Sequence, residues 1–540
     1  MQSRRAVSLV LGIAVAVVSL HGQPPRYDLL IKNARVVDGT GSPWYRSDVG
    51  IRGDEIATIA RRIDAPSTRT IDAADQIVAP GFIDIHVHAF GGASRPPSPL
   101  PIVEVPTADN YIRQGVTTLI TGPDGFSPIP LEPALALVAK TGTVPNIGAF
   151  VGHGSIREAV FGSVNRAPTP DELERMRALA RDAMRDGAFG MSTGLFYVPA
   201  TFSKTDEIVE LAKVVGQLGG IHISHMRDEE VDIEASVRET IAIGELGGLP
   251  TQVTHHKTIG KSAWGKTADT LRLIDDARQR GVDVTVDLYP YTASATSISA
   301  ALMPTWAQEG TRDDVLRRLR DPETRRKILV ATLQILLNGR GGGDARNVMV
   351  SRCDWNAAFA GKRLDDVARM RGKPGSIEDA ADTALWLVEN GDCGGIYFAI
   401  SEDDIQRVLR HPSSMVASDG QVVVFGRASP HPRSYGTFAR VLGRYVRDLK
   451  VLPLEDAVRK MSSYPAQRLG LRDRGVVRER MKADVVMFDP AAVRDLSTFE
   501  QPHQYAQGVS LVVVNGQVAF ENGAITSARP GRILYGAARD

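Results

Sequence analysis

The chain has 540 residues, enough for a large core plus accessory domains, since single hydrophobic cores stop growing at about 250–300 residues. Its 64 basic and 63 acidic side chains nearly balance, which gives no electrostatic case for a nucleic-acid partner or an anionic-membrane partner. The two cysteines, Cys353 and Cys393, are too few for a disulfide framework or a cysteine-rich zinc module, and the sequence leaves open whether they pair.

The first residues have the pattern of a signal peptide. Arg4 and Arg5 precede an apolar run from Ala6 to Leu20, and residues 21–25 then break any helix. The run is shorter than the about 20 residues that a membrane span needs, which favours a cleaved signal peptide over an uncleaved anchor. We therefore expect residues 1–22 to be a signal peptide and the protein to be exported, to a periplasm or to the extracellular space.

Short strands with turn residues between them occupy both ends of the chain. Residues 26–79 contain DLLIKNARVVDG, SDVGIRGDEIATIA and RTIDAADQIVA, and residues 472–540 contain KADVVMFDP and VSLVVVNGQVAFENG. This spacing is typical of small antiparallel sheets. We therefore predict one discontinuous β domain, a small β-sandwich built from both termini.

Between these ends, residues 80–471 alternate apolar strands with helical patterns. Helices are predicted at residues 131–140, 169–186, 204–218, 233–246 and 266–280. Repeated βα units predict a parallel sheet, and about eight of them close into a TIM-like (β/α)8 barrel, so the fold class is α/β. The rhythm is lost from about residue 297 to 412, a segment that contains the glycine-rich GRGGGDARN. This segment is predicted to be an insertion before the last barrel strand that covers the pocket.

Two histidines one residue apart, His86 and His88, close the strand-like PGFIDIHVH. Side chains i and i+2 share one face of a strand, so two imidazoles can converge on one metal ion. An HxH pair alone is a weak signal, but His225, His255 and Asp419 each end a further predicted strand. Because active sites of such barrels lie at the C-terminal ends of the strands, the five residues together predict a metal centre there.

Imidazole and carboxylate ligands suit a borderline metal such as Zn²⁺, which in catalytic sites keeps one position for water. Zinc lowers the pKa of that water toward neutrality, so that the water can attack a carbonyl. Asp419 can take the proton from the water and pass it to a leaving nitrogen. The combination predicts hydrolysis of an amide-like bond.

Longer stretches of the chain resemble a known family. They are GHGSIRE, GAFGMSTGLFYVP, HISHMRDE, THHK, DLYPYTA, HPRSYGTFARVLGRYV, MSSYPAQRLGL and VVVNGQVAFENG. In this order they resemble the N-acyl-D-amino-acid deacylase (D-aminoacylase) family of the amidohydrolase superfamily. The resemblance implies a zinc-dependent amidohydrolase, with one or two ions, that cleaves the linear amide bond of an N-acyl-D-amino acid to a D-amino acid and a carboxylic acid.

The resemblance also implies roles for individual residues. His86 and His88 match the ligands of the first barrel strand, His225 and His255 those of the fifth and sixth, and Asp419 the base of the eighth.

Three further positions match residues that contact substrate in the family: Lys257, Tyr289 and Arg433. The planar guanidinium of Arg433 suits the carboxylate of an amino acid. Tyr289 could donate a hydrogen bond to a carbonyl oxygen as charge develops there, although Tyr291 lies on the same alternating face and could be confused with it.

One position departs from the family pattern. The family carries a metal-bridging cysteine after the second strand, in a GNCG-like turn, whereas this chain reads TGPDG with Asp124 in that place. The fourth strand, GAFGMSTGL, contains no lysine that could be carboxylated and bridge instead. Asp124 is therefore the candidate bridging ligand, and its oxygen atoms are harder donors than a thiolate, which bears on metal preference.

Other polar residues near these stretches are expected to be structural. They are His153, which could also reach the pocket, His222 and His256. Asp84 shares the face of the two strand histidines but lies deeper, where it could orient them. Asp228 and Glu229 follow His225 in a loop, where solvated surface charge is the default expectation.

Three alternatives to the deacylase remain open at this point. The first is an exported dipeptidase or a related enzyme that releases an amino acid from another N-substituted residue. The second is a cyclic-amide hydrolase of the same superfamily. The third is a secreted binding protein that keeps the barrel and has lost catalysis, against which the intact candidate positions argue.

Overall fold

The protein is described by a computed structural model over residues 26–91 and 100–539. The predicted signal peptide, residues 1–22, lies outside the described residues. Within these two ranges, no helix combines the length and the apolar character needed to cross a membrane.

Both ends of the chain contribute strands to one β domain. The strands are Tyr27–Val36, Tyr45–Arg52, Glu55–Ala60, Ser67–Asp72, Ile77–Pro80, Val485–Phe488, Val509–Val514, Gln517–Glu521 and Ala524–Ile525. A small β-sandwich was predicted, and hydrogen bonds connect all nine strands in one sheet. The two ends meet where Val485–Phe488 pairs antiparallel with Ile77–Pro80. Apolar side chains from both ends, such as Ile31 and Val513, pack in one buried cluster.

Eight parallel strand positions form the barrel. In chain order they are Phe82–His88, Val116–Thr121, Asn146–Ala149 with Val151–Gly152, Gly190–Gly194, Ile221–His225, Thr251–Val253, Val284–Leu288, and Ser414–Val416 with Gly420–Gln421. The eighth position pairs with the seventh through Ser414–Val416 and with the first through Gly420–Gln421, which closes the barrel. The carboxyl ends of all eight strands therefore surround one space.

Helices connect the barrel strands and follow the last one. They are Pro101–Glu104, Asp109–Ile112, Glu132–Thr141, His153–Phe161, Pro170–Arg185, Thr205–Gln217, Ile233–Gly247, Thr267–Gln279, Glu402–Arg410, Arg433–Arg440 with its π-helical continuation Val441–Asp448, Leu454–Met461 and Ser463–Arg468, with a 3₁₀ turn at Ala200–Phe202. The five helices predicted from apolar periodicity begin and end within one residue of the prediction. Local chemistry sets such ends: Thr169 caps Pro170–Arg185 in a capping box with Glu172.

The segment between the seventh and eighth barrel strands forms a subdomain with its own apolar core. Its strands are Ser294–Ser297, Val348–Arg352 and Gly394–Tyr397, and its helices are Ile298–Leu302, Arg312–Arg320, Pro322–Asn338, Leu364–Met370 and Ile377–Glu389, with 3₁₀ turns at Thr305–Gln308, Ala345–Asn347 and Ala357–Phe359. The insertion expected over about 297–412 is shorter at its C-terminal end. The reason is that Glu402–Arg410 packs on barrel elements, the helix Thr267–Gln279 and the strand Ser414–Val416.

The two cysteines of the chain both lie in this subdomain and form a disulfide. Arg352 pairs with Gly394 in neighbouring antiparallel strands, so Cys353 and Cys393 face each other one position further on. The disulfide therefore links two of the three strands of the insertion.

Replacing Cys353 and Cys393 together by serine removes a link that closes a loop of 40 residues. We expect the free energy of unfolding to fall by about 4 kcal/mol, because the unlinked chain gains conformational entropy when it unfolds. Urea denaturation followed by circular dichroism measures the change. Reduction of the wild-type protein is the matched control, since it breaks the link without altering other atoms. Unchanged stability in both experiments would contradict the pairing.

Candidate metal centre

The predicted ligands come together at the C-terminal end of the barrel. His86 and His88 lie at the end of the first strand, His225 ends the fifth, His255 follows the sixth, and Asp419 lies in the break of the eighth. All five side chains are buried. The backbone N–H of Asp419 donates to the carbonyl oxygen of His86 over 3.0 Å, which ties the eighth strand to the first beside the site.

Two groups of candidate ligands share one residue, Asp124. The groups are His86, His88, Asp124 and Asp419, and Asp124, His225 and His255. Within each group the candidate ligand atoms lie within 4.8 Å of one another. Asp124 Oδ1 lies 3.3 Å from His86 Nε2 and 3.4 Å from His255 Nε2. Its Oδ2 lies 3.5 Å from His88 Nε2, so the carboxylate faces both groups.

Buried polar atoms without partners show that this arrangement fits a cation. Both ring nitrogens of His86 and Oδ1 of Asp124 are buried and form no hydrogen bond. Such atoms cost free energy when nothing satisfies them. Burial lowers the pKa of His86, but Asp124 and Asp419 together outweigh this effect and raise that pKa well above its usual value. The centre therefore favours positive charge, and its imidazole and carboxylate donors suit Zn²⁺.

The orientation of two further rings agrees with metal binding. His88 Nδ1 lies 3.2 Å from the carbonyl oxygen of Gly91, and donation there leaves Nε2 free to face the centre. Burial lowers the pKa of His225 to about 4, so this ring is neutral at neutral pH, the form that binds a metal.

Three of the central residues have left-handed backbone conformations. The φ angles are +57° at Asp124, +35° at His255 and +50° at Asp419. Asp and His adopt this region more readily than most residues, and such strain concentrates at functional sites. The turn at Asp124 also needs a close neighbour without a side chain, because a Cβ on Gly194 would lie 1.9 Å from the Asp124 carbonyl oxygen.

Asp419 is paired with the sequence-predicted Arg433. Arg433 Nη1 lies 2.6 Å from Asp419 Oδ2, and both side chains are buried. Burial raises the pKa of Asp419, but the charge of Arg433 and the neighbouring imidazoles together outweigh this effect and hold that pKa well below its usual value. Asp419 is therefore an ionised carboxylate that contacts His88 Nε2 over 2.9 Å.

Lys257 also reaches the centre, and it contacts a residue that the sequence did not single out. Its Nζ lies 2.8 Å from His255 Nδ1 and donates to Glu229 Oε1 over 2.5 Å. Glu229 was expected to be solvated surface charge, but it is only 1% exposed. Burial raises the pKa of Glu229, but Lys257, His225 and His255 together outweigh this effect and lower that pKa well below its usual value.

The structure shows which of Tyr289 and Tyr291 faces the centre, a choice that strand alternation left open. The Tyr291 hydroxyl donates to Asp495 over 3.4 Å, away from the metal ligands. The Tyr289 hydroxyl is buried without a hydrogen-bond partner, and the Arg433 guanidinium lies 4.6 Å from the ring centroid. Tyr289, Arg433 and Lys257 therefore lie on one side of the centre.

The insertion contributes a buried cation, Arg340, which sequence reasoning missed. It comes from the glycine-rich GRGGG and is 3% exposed. Its guanidinium lies 4.6 Å from the ring of Phe196, and that ring stacks on His225 with 5.6 Å between centroids. The unusual glycine content around Arg340 was the one available signal. Nothing in the sequence indicated that this segment lies near the metal ligands.

Residues expected to be structural have partners away from the centre. His153 Nε2 lies 3.1 Å from Glu207, His222 bonds to Thr193 and Thr251, and His256 bonds to Thr270. Asp84 lies below the ligands, where it accepts the backbone N–H groups of His86 and Ser418.

Comparisons with known proteins agree with this geometry. The amidohydrolase family model matches residues 69–520. A D-aminoacylase from Alcaligenes xylosoxydans xylosoxydans is 36% identical, over 94% of this chain and 97% of the relative. An N-acyl-D-glutamate deacylase from the same organism is also 36% identical, over 94% and 96%.

Solved structures give the same result. A D-aminoacylase crystal structure has a TM-score of 0.78 at 34% identity and covers 94% of this chain and 100% of that chain. The N-acyl-D-glutamate deacylase of Bordetella bronchiseptica, solved with zinc and a phosphonate inhibitor, has a TM-score of 0.80 at 32% identity, over 95% and 100%.

The fold and the ligand cluster define a metal-dependent barrel hydrolase. The family of this hydrolase follows from two findings. The family model matches most of the residues, and the relatives are identical at about a third of positions over nearly their whole length. The chain belongs to the amidohydrolase family, in the branch that contains the D-aminoacylases.

Asp124→Asn keeps the shape of the side chain and removes the charge that faces both ligand groups. We expect bound zinc per chain to fall, because the four imidazoles lose the carboxylate between them. Elemental analysis of the purified variant measures this. Asp269→Asn is the control, since Asp269 pairs on the surface with Arg272. A variant with wild-type metal content would remove Asp124 from the coordination sphere.

Proposed function

We propose that this protein is a zinc-dependent hydrolase that cleaves N-acyl-D-amino acids to a D-amino acid and a carboxylic acid. The observation that carries the proposal is the buried cluster of imidazoles and carboxylates beside two cationic side chains and an unpartnered tyrosine hydroxyl. The relatives that match over nearly their whole length support the stereochemistry and the substrate class.

His86, His88, His225, His255 and Asp124 would hold the zinc, as one ion or two. Bound zinc supplies Lewis acidity, which makes a carbonyl more electrophilic and a water molecule more acidic. A D-aminoacylase of similar fold has a binuclear metal centre, in which one metal activates that enzyme and the second metal attenuates it.

Asp419 is the proposed proton carrier. Water adds to the acyl carbon while Asp419 accepts its proton, and Asp419 then gives this proton to the amide nitrogen as the C–N bond breaks. The products are the free amine and the carboxylic acid. The ion pair with Arg433 keeps Asp419 deprotonated, so it starts the reaction in the form that accepts a proton.

Arg433, Lys257 and Tyr289 are the proposed substrate-binding residues. Arg433 Nε is buried without a hydrogen-bond partner, so part of the guanidinium is available for the substrate carboxylate. The Tyr289 hydroxyl is buried and equally unpartnered, so it can donate to the carbonyl oxygen as charge develops there. Lys257 adds positive charge on the same side.

The substrate class is tested with purified protein and a panel of N-acetyl-D-amino acids, N-acetyl-L-amino acids, dipeptides and hydantoins. We expect hydrolysis of N-acetyl-D-amino acids, loss of activity in chelator-stripped protein, and recovery when zinc is added back. Preferred cleavage of a dipeptide or hydantoin would overturn the substrate assignment, and undiminished activity without metal would overturn the mechanism.

Asp419→Asn should separate proton transfer from metal binding. We expect turnover to fall by about 100-fold or more, the usual contribution of a positioned general base, with zinc content largely retained. Steady-state kinetics and metal analysis of the same sample measure both. A variant that works at full speed would contradict the role of Asp419 as the base.

His225→Ala should instead lower bound zinc and activity together, because the ring faces the second ligand group. His256→Ala is the matched control, since His256 bonds to Thr270 away from the centre. If zinc binding survived in His225→Ala and activity alone were lost, His225 would not be a ligand.

We also propose that the protein is exported and that its signal peptide is removed. The proposal rests on the charged and apolar pattern of residues 1–22, and the Cys353–Cys393 disulfide supports it, since disulfides persist in oxidising compartments. N-terminal sequencing of protein from the periplasmic fraction tests it. A full-length N-terminus found in the cytoplasm would contradict it.

A further inference from the structure

Glu229 lies behind the metal ligands, on the side away from Asp124. It follows His225 by four residues and is only 1% exposed. Its Oε1 lies 3.1 Å from His255 Nδ1, and its Oε2 lies 3.8 Å from His225 Nε2. One carboxylate therefore faces the outer ring nitrogen of two candidate ligands at once.

The inner nitrogens of the same rings face the metal centre. His255 Nε2 lies 3.4 Å and His225 Nδ1 3.7 Å from Asp124 Oδ1. A neutral imidazole that binds a metal through one nitrogen carries its proton on the other. Metal binding therefore requires N–H groups at His255 Nδ1 and His225 Nε2, and both of these atoms point to Glu229.

Two buried atoms without hydrogen-bond partners support this pairing of Glu229 with His225. His225 Nε2 and Glu229 Oε2 are both buried, and neither has a hydrogen-bond partner. The donor and the acceptor that lack partners thus face each other just beyond hydrogen-bond distance.

Lys257 competes with Glu229 for a hydrogen bond with His255 Nδ1. Its Nζ lies 2.8 Å from His255 Nδ1, so a ring that accepted this hydrogen bond would carry its proton on Nε2 and could not bind a metal there. Glu229 resolves the competition, because its Oε1 accepts from both groups when Nδ1 carries the proton.

Arg340 supplies a second positive charge beside Glu229. Its Nη2 lies 3.6 Å from Glu229 Oε2, and its Nη1 donates to Ser294 Oγ of the insertion over 3.3 Å. The GRGGG backbone makes this approach possible, since a Cβ on Gly341 would lie 2.3 Å from the Leu336 carbonyl oxygen. A buried carboxylate needs such compensation, because an unpaired charge is costly in the interior.

We propose that Glu229 is a positioning residue that orients His225 and His255 for metal binding, and that Arg340 holds Glu229 in place from the insertion. The barrel thus supplies the ligands, and the inserted subdomain supplies part of the charge that keeps two of them aligned. The proposal deepens the zinc centre on which the proposed function rests.

Glu229→Gln tests the first half, with zinc affinity measured by chelator competition on the full-length protein without substrate. We expect the zinc Kd to rise about 10- to 100-fold, the usual effect of losing a carboxylate behind a histidine ligand. Glu230→Gln is the matched control, because Glu230 Oε1 lies 3.8 Å from Arg340 Nε but faces no ligand ring. A wild-type zinc Kd in folded Glu229→Gln would overturn the proposal.

Arg340→Met and Arg340→Lys test the second half, and they keep the proposal testable if Glu229→Gln does not fold. We expect Arg340→Met to raise the zinc Kd about three- to tenfold, less than Glu229→Gln, since Arg340 lies one residue further from the ligand rings than Glu229 does. Arg340→Lys, which retains the charge, should recover part of the loss. Equal zinc affinity in Arg340→Met and the wild type would overturn the role of the insertion. These outcomes are independent of the substrate panel, so failure of the deacylase assignment would be recognised separately.

Discussion

The structure depends on one electrostatic constraint. Several carboxylates and imidazoles share one buried space, and some of their polar atoms have no hydrogen-bond partner there. Asp124 faces both ligand groups, and Asp419 and Glu229 add two further buried carboxylates. Effective desolvation penalties are several kcal/mol per buried ion, so compensation is required. Arg433 and Lys257 compensate Asp419 and Glu229, whereas Asp124 Oδ1 has no hydrogen-bond donor and needs a cation.

The barrel meets this constraint through its topology. Parallel strands place their carboxyl ends at one rim, so short segments from distant parts of the chain deliver one or two side chains each. The terminal β domain and the insertion then serve different purposes. The β sheet joins the two ends of the chain at Ile77–Pro80, directly before the strand that carries His86 and His88, while the insertion brings Arg340 beside Glu229.

The sequence predicted those features that depend on local periodicity or on the position where a strand ends. Barrel helices such as Pro170–Arg185 follow from apolar spacing and capping, and His225 and His255 follow from their places after apolar strands. Lys257, Tyr289 and Arg433 came from family resemblance alone. Glu229 was missed because a loop carboxylate among other acids has no local sign of burial, and that burial depends on distant Lys257 and Arg340. Pairing between far strands is likewise not encoded in alternation, so the sequence did not predict that all nine strands join in one sheet.

The most direct measurement is an anomalous difference map at the zinc edge from crystals of the purified protein. We expect a peak within about 2.0–2.2 Å of an Asp124 carboxylate oxygen and of imidazole nitrogens from His86 and from at least one of the other candidate histidines. A map with no peak at Asp124, or with zinc bound only at other residues of the chain, would contradict a zinc centre built around Asp124.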